Sequence, residues 1–114
     1  MLNVSIVLYY PKWEQVLPLT QALLACKYIN RIYWIDNSPI VTHELPICSD
    51  KIEYIFNNKN LGYGAAHNIA IRESIYDDIP LHLVINPDIL LNAQDLDTMC
   101  QFVVKNPEIG CLMP

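Results

Sequence analysis

The chain alternates between short runs of β-branched and aromatic residues and longer segments in which apolar residues recur at helical spacing. Short apolar runs that stop at proline, amide or acidic residues are typical of strands buried in a sheet. Such runs predict strands at residues 3–10, 31–38, 51–57 and 81–86. Helical spacing predicts helices from Trp13 to about Tyr28, from Gly64 to about Tyr76 and over residues 93–106. Residues 109–114 have the pattern of the start of another strand.

Prolines interrupt the pattern in two places. Pro18 falls in the first helical segment, where a proline in the interior would remove a backbone hydrogen bond. We therefore expect Pro18 in the first turn of that helix, where its missing N–H costs nothing. Residues 39–50 contain two prolines and show no periodicity, which indicates a loop.

The alternating order of strands and helices predicts an α/β fold with an open, mostly parallel sheet and helices on both of its faces. The length of 114 residues suits a single domain over residues 1–114. Ligands of such sheets bind beyond the carboxyl ends of the strands. Polar residues follow each predicted strand there, and they include Tyr9, Asp36, Asn57 and Asn86.

The charge and the cysteines limit the classes of partner and of location. A net charge of −5 with only seven Lys and Arg residues argues against a nucleic-acid partner, because phosphate binding requires clustered cations. The four cysteines lack zinc-binding or redox spacing, which favours reduced thiols in a cytoplasmic protein over disulfides. The N-terminal apolar run is too short for a signal or a membrane span. Peripheral attachment at the inner face of a membrane, through a partner or a further segment, stays open.

The stretch "GYGAAH" matches only the front of the dinucleotide-binding pattern, because His67 occupies the position of the third glycine. One interpretation is a tight turn in which Gly62 or Gly64 takes a positive φ before a closely packed helix. The other is a helix N-terminus that receives an anion or a ribose, with Asn68 nearby. The residues alone do not decide between them.

Two acidic segments have a structural and a functional interpretation each. Asp36 ends a strand within Asp-Asn-Ser-Pro, which suits a turn, and it also suits a carboxylate that accepts a hydrogen bond from a base or a sugar. Asn86 and Asp88 flank Pro87, so both project past a strand end. They suit either a simple turn or a divalent cation whose other ligands are phosphate oxygens and water.

A phosphoacceptor receiver domain has a similar order of elements. It requires an acidic pair after the first strand and a lysine after the last, whereas this chain has Tyr9-Tyr10-Pro11 and no lysine after residue 109. The three histidines have no metal-ligand spacing, and structural roles are favoured for each.

Taken in order, four segments resemble the family 2 glycosyltransferases, and most closely their rhamnosyltransferase-like members. The segments are "VSIVLYY", "IYWIDNS", "NKNLGYGAAHNIAI" and "LVINPDILL". The resemblance implies a GT-A fold whose Rossmann-like first half binds a nucleoside-diphosphate sugar. It also implies an inverting, metal-dependent transfer of a sugar, with rhamnose as one option, to a saccharide or lipid-linked saccharide acceptor in cell-surface polysaccharide synthesis.

The resemblance implies roles for particular residues. Tyr9 would flank the nucleotide base and Asp36 would read it, while Asp88 would hold Mg²⁺ or Mn²⁺ with Asn86 beside it. The segment against the ribose and the diphosphate would include Lys59, Gly62 and Asn68.

This sequence departs from the family pattern at three points. "LYYP" replaces the usual Tyr-Asn pair, Asn86 replaces the first acid of Asp-x-Asp, and the second half of the catalytic domain is absent. The chain therefore looks like a truncated N-terminal half, and the general base is unknown because it would lie outside residues 1–114. A half-domain with an uncovered sheet edge predicts a homodimer or poor solubility. The alternative is a non-catalytic nucleotide-binding or scaffold domain of the same fold.

Overall fold

A computed structural model describes residues 1–112 of the chain. Its elements are β1 (Leu2–Leu8), α1 (Trp13–Ala25), β2 (Ile29–Asp36), β3 (Ile52–Phe56), α2 (Tyr63–Tyr76), β4 (Leu81–Ile85) and α3 (Ala93–Lys105). The four strands form one parallel sheet in the order β3-β2-β1-β4. Packing places α1 and α3 on one face of this sheet and α2 on the other. The predicted α/β class, with an open parallel sheet and helices on both faces, is confirmed.

Several element boundaries differ from the prediction. β1 ends at Leu8 because the chain turns away at Tyr10, which has a φ of 48°. α1 ends at Ala25 because Cys26 is extended, and β2 consequently starts at Ile29, two residues early. The predicted strand at residues 109–114 is wrong over residues 109–112, which form no strand, and its last two residues lie outside the described residues.

The position predicted for Pro18 is also wrong. α1 begins at Trp13, so Pro18 lies in the second turn of the helix. Its missing N–H would have bonded the carbonyl of Glu14, and both residues are exposed. Water can therefore hydrogen-bond the carbonyl group that proline leaves free, which makes the interior position tolerable.

The sheet face under α1 and α3 carries the larger apolar core. The even-numbered residues of β1 point into it and are fully buried. Trp34 of β2 lies at its centre, and its indole N–H donates to Thr20 Oγ1 at 3.2 Å. Thr20 donates in turn to the carbonyl of Val16 at 2.8 Å. The indole N–H is thus paired inside the core, as a buried tryptophan requires.

The face under α2 carries a row of hydrogen-bonded polar side chains, buried except for the part-buried His82, beside a small apolar cluster. Ser5 of β1 lies between two histidines, with its Oγ 2.7 Å from His67 Nδ1 and 2.8 Å from His82 Nε2. The series of hydrogen bonds continues from His82 Nδ1 to Ser74 Oγ at 2.7 Å, and the Asn3 amide donates to the same oxygen at 2.9 Å. These hydrogen bonds offset the cost of burying the polar groups.

His67 and His82 both favour the neutral form of the imidazole ring. Burial lowers the pKa of His67, and burial together with the neighbouring His67 lowers the pKa of His82 to about 4. His67 Nε2 is buried and has no hydrogen-bond partner among the described residues. A charge on either ring would therefore lie in a poorly solvated environment.

The sheet is open at its β4 edge. A groove of about 230 Å³ runs between β4 and α3, and its lining includes Leu81, Leu83, Met99 and Val103. The homodimer predicted from an uncovered edge stays a prediction. No helix within residues 1–112 combines the length and the apolar character needed to cross a membrane.

The histidine pair predicts a loss of stability in acid. The pKa values of the folded protein lie below the unfolded value of about 6.5, so the unfolded state binds more protons as the pH falls. The contribution of the neutral His82 ring to the free energy of unfolding is complete above pH 6.5. This contribution decreases by on the order of 3 kcal/mol as the pH falls toward about 4. Urea unfolding at a series of pH values between 7 and 4 measures this decrease.

A matched pair of variants tests whether His82 causes this pH dependence. His82→Gln should flatten the pH dependence of the free energy of unfolding in this window, while His43→Gln, in the exposed loop, should leave it unchanged. An unchanged pH dependence in His82→Gln would show that other groups control acid stability.

Candidate functional site

The topology of the sheet defines where a ligand crevice can form. All four strands run parallel, so their carboxyl ends lie at one edge. The chain proceeds from β1 to β2 and β3 on one side and then places β4 on the other side of β1. The position between β1 and β4 is therefore the switch point of the sheet. Open parallel sheets bind ligands in the crevice at such a point.

A cleft lies at this position, and we call it the switch-point cleft. Its volume is about 310 Å³. It is formed by the end of β1, the first turn of α1 and the segment after β4. The lining residues are Leu8, Tyr9, Tyr10, Pro11, Lys12, Gln15, Val16, Pro87 and Asp88.

Two tyrosines form the aromatic wall of the cleft. The rings of Tyr9 and Tyr10 meet edge to face, with centroids 4.7 Å apart, and each side chain is about half exposed. The positive φ of Tyr10 lets the chain turn between β1 and α1 while both rings stay at the mouth of the cleft. Exposed rings of this kind can stack against a planar ligand.

Asp88 and Asn86 project from the turn that follows β4, but toward different partners. The turn closes with a hydrogen bond from the Ile89 N–H to the Asn86 carbonyl at 3.3 Å. Asp88 is exposed and lines the switch-point cleft. The amide oxygen of Asn86 accepts a hydrogen bond from the Tyr63 hydroxyl at the start of α2. Only Asp88 therefore offers its side chain to the cleft.

The residues present fit a divalent cation only as part of a shared site. No group of three or more His, Cys, Asp or Glu side chains within residues 1–112 is arranged to hold a metal ion. Asp88 supplies one carboxylate, and Mg²⁺ is commonly held by one or two carboxylates together with substrate phosphates and water. Asp88 thus fits an ion that a diphosphate brings with it, and it does not fit a permanent protein-only site.

Asp36 lies at the carboxyl end of β2, as expected, but it is fully buried. One carboxylate oxygen accepts from the Ser38 N–H at 2.9 Å, and the other accepts from the Tyr54 hydroxyl at 2.5 Å. Burial raises the pKa of Tyr54, and its hydrogen bond to Asp36 raises it further, so the phenol stays protonated and can donate. The turn-forming interpretation of Asp-Asn-Ser-Pro describes these contacts, and the role of Asp36 as a base reader stays a prediction.

The predicted phosphate segment lies beside the cleft and does not line it. Gly62 precedes α2 with a φ of 86°, whereas Lys59 and Asn68 are exposed. Asparagine side chains hold this loop against β2. Asn37 donates to the Gly62 carbonyl at 3.3 Å, and the Gly62 N–H donates to Asn60 Oδ1 at 3.0 Å. Of the predicted site residues, the cleft therefore brings together Tyr9 and Asp88.

Two polar residues of the cleft were not predicted from the sequence. Lys12 and Gln15 lie at the start of α1 and face the same space as Asp88. Lys12 is the N-cap residue of this helix and makes no side-chain capping bond. Their position just after β1, which ends at Leu8, was the available signal, since the first turn after a central strand borders the crevice.

Comparisons with known proteins add no family assignment. No protein family, no curated protein and no solved structure matches the chain. The fold class is established by the arrangement of the strands and helices. The glycosyltransferase resemblance stays a prediction that is based on the four sequence segments.

The backbone at Gly62 predicts opposite effects for two alanine substitutions. A Cβ at Gly62 or at Gly64 would contact no other atom within 4 Å. Gly62 has a φ of 86° and a ψ of 163°, a conformation essentially reserved for glycine, so Gly62→Ala should lose about 1–3 kcal/mol of stability. Gly64 is in a helix, and Gly64→Ala should gain about 0.5–1 kcal/mol. Urea unfolding measures both changes. Equal effects of the two substitutions would contradict this description of the turn.

Proposed function

We propose that this chain binds the nucleoside diphosphate of a sugar donor in the switch-point cleft and forms the donor-binding part of an inverting, metal-dependent glycosyltransferase. One observation carries the proposal. A single cleft at the switch point of the sheet combines two exposed tyrosines, a lysine and one carboxylate. These groups match the three chemical parts of such a ligand, which are a planar base, a diphosphate and a bound cation.

The aromatic wall suits the nucleotide base. Tyr9 and Tyr10 offer both faces and edges of their rings at the mouth of the cleft. Stacking of a base on an aromatic ring is favourable for every base, because each base has a π-face. The tyrosines would therefore bind a nucleotide without selecting one base strongly.

The charged residues suit the diphosphate. Lys12 would attract the phosphate oxygens directly, since an ammonium group binds phosphate as a compact charge. Asp88 would bind them through Mg²⁺ or Mn²⁺, because a carboxylate alone would repel them. When bound, the ion would neutralise the charge that develops on the departing diphosphate.

The proposed reaction is a direct displacement at the anomeric carbon of the donor sugar. The hydroxyl oxygen of a saccharide or lipid-linked saccharide would form the new bond as the bond to the diphosphate breaks, with inversion at that carbon. A general base would take the hydroxyl proton, and we assign that base to no residue of this chain. Rhamnose as the donor sugar, polysaccharide synthesis as the process and a cytoplasmic location at the inner membrane face are the finer parts of this proposal.

A non-catalytic nucleotide-binding or scaffold domain is the second candidate. One observation favours it: Asp88 is the one acidic residue that lines the cleft. A single carboxylate supports nucleotide binding more readily than it supports a complete catalytic centre. The two candidates differ in the metal dependence of binding.

Removal of the cleft carboxylate tests the metal-dependent site. We expect Asp88→Ala to weaken binding of UDP, TDP or GDP by about tenfold or more in the presence of Mn²⁺, which corresponds to a loss of about 1.4 kcal/mol. Without metal, the same variant should bind as well as the unmodified chain or better, because a repulsive charge is gone. Calorimetric titration of each nucleotide with and without Mn²⁺ measures both effects.

Glu44→Ala is the matched control, since it removes one negative charge from an exposed loop outside the cleft. This control variant should change the affinity for a nucleotide by no more than about twofold, both with and without Mn²⁺. Nucleotide affinities that are the same with and without Mn²⁺, and the same in Asp88→Ala as in the unmodified chain, would support the non-catalytic candidate. Failure of all three nucleotides to bind would contradict nucleotide binding by this chain and would favour a scaffold.

Removal of one ring tests the aromatic wall. We expect Tyr9→Ala to weaken each nucleotide by about 1–3 kcal/mol, with or without Mn²⁺, because stacking is lost. Tyr76→Ala, at the exposed end of α2, should leave the affinities unchanged. Fluorescence titration with a labelled nucleotide measures the change, and equal affinities for the two variants would exclude Tyr9 from the base site.

A further inference from the structure

We propose that Asp36 is a positioning residue for the aromatic wall of the switch-point cleft and that it does not contact the nucleotide itself. This inference rests on the proposed function for what the wall binds, but its structural part can be tested without any ligand. It assigns Asp36 a different role from the base reading that the sequence resemblance implies.

The first step is the environment of the carboxylate. Asp36 has no exposed surface, and both of its oxygens accept hydrogen bonds from groups of the protein. A buried carboxylate that lost these donors would be strongly destabilising. Contact with a base would require the segment that covers the carboxylate to move, because Asp36 has no exposed surface. Groups of the protein therefore already donate one hydrogen bond to each oxygen of this carboxylate.

The second step is the path from this carboxylate to the cleft. The Ser38 N–H donates to Asp36, and the Ser38 hydroxyl oxygen accepts from the Tyr10 N–H at 2.6 Å. The preceding residue of the same turn, Asn37, donates its N–H to the Leu8 carbonyl at 2.8 Å. The segment after β2 is thus bonded to the last residue of β1 and to Tyr10, which follows it. Asp36 fixes the conformation of the turn that makes both contacts.

These hydrogen bonds help to maintain an unusual backbone conformation at Tyr10. Tyr10 has a φ of 48°, in the left-handed region that residues with a side chain rarely adopt. Such a conformation persists only where the surroundings determine it. The hydrogen bond from the Tyr10 N–H to Ser38 is one of those determinants, and it sets the direction in which the Tyr10 ring leaves the backbone.

A fourth contact holds the loop from its far side. The Tyr54 hydroxyl donates to Asp36 and accepts from the Thr42 N–H at 3.1 Å. The loop after β2 is therefore attached to Asp36 through Ser38 and through Tyr54. The carboxylate is the common acceptor of both attachments.

The structural part of the proposal is tested by amide hydrogen exchange at Tyr10 in the chain without nucleotide. Ser38→Ala keeps Asp36 but removes the acceptor of the Tyr10 N–H, so exchange at Tyr10 should accelerate about fivefold or more. Asp36→Ala removes both acceptors of the turn, so exchange at Tyr10 should also accelerate about fivefold or more. Asp36→Asn keeps one oxygen that can accept from the Ser38 N–H, so it should restore exchange to within about twofold of the unmodified chain. Ser49→Ala, in the same loop but without a bond to Tyr10, is the control and should change nothing at this amide.

The second part compares nucleotides. Ser38→Ala should weaken UDP and GDP by the same factor, and Asp36→Asn should leave the ratio of the two dissociation constants unchanged within about twofold. The proposal is overturned if Tyr10 exchange in Ser38→Ala or in Asp36→Ala equals that of the unmodified chain, or if Asp36→Asn changes the ratio about tenfold. If the unmodified chain binds no nucleotide, the proposed function fails, and the exchange rates alone decide the positioning role.

Discussion

β1 lies between β2 and β4, and this central position determines both how the sheet packs and where the cleft forms. β1 forms parallel ladders with both neighbours, and its side chains are buried on both faces of the sheet. A strand in this position must be apolar toward the larger core and must pair every polar group that it turns toward α2. It also places the end of β1 next to the end of β4, where the chain has reversed its direction across the sheet. The cleft exists because those two ends separate there.

Polar bonding substitutes for apolar packing in two parts of the molecule. Under α2, Ser5 links the imidazoles of His67 and His82, so helix and sheet are held by hydrogen bonds with a defined geometry. At the carboxyl edge, Asp36 accepts hydrogen bonds from Ser38 and Tyr54 and so holds the loop after β2. Buried polar networks stabilise one arrangement strongly when every member is paired. The unpaired His67 Nε2 is the exception within the described residues.

The sequence predicted the fold class and the type of each of the seven helices and strands, because their apolar periodicities are long and distinct. It failed at boundaries where single residues decide: the left-handed Tyr10 ends β1 early, and the extended Cys26 ends α1 early. These conformations depend on contacts such as that between Tyr10 and Ser38, which are distant in the sequence. The interior position of Pro18 was missed because solvent exposure decides whether its cost is tolerable.

The candidate site was predicted only in part. Order along the chain indicated that polar residues gather at one edge of the sheet, and Tyr9 and Asp88 do share the cleft. The burial of Asp36 could not be predicted, because the loop after β2 shows no periodicity that indicates where it packs. Lys12 and Gln15 were missed because a lysine and a glutamine at the start of a helix are common on any surface.

The central claim is that a nucleoside diphosphate and a divalent cation bind in the switch-point cleft. Titration of the ¹⁵N-labelled chain with UDP and Mg²⁺, followed by a trace of Mn²⁺, tests it most directly. We expect the amide shifts to concentrate at residues 9–15 and 86–89 and the broadening by Mn²⁺ to centre on Asp88. Shifts confined to the groove between β4 and α3, or broadening centred away from Asp88, would contradict it.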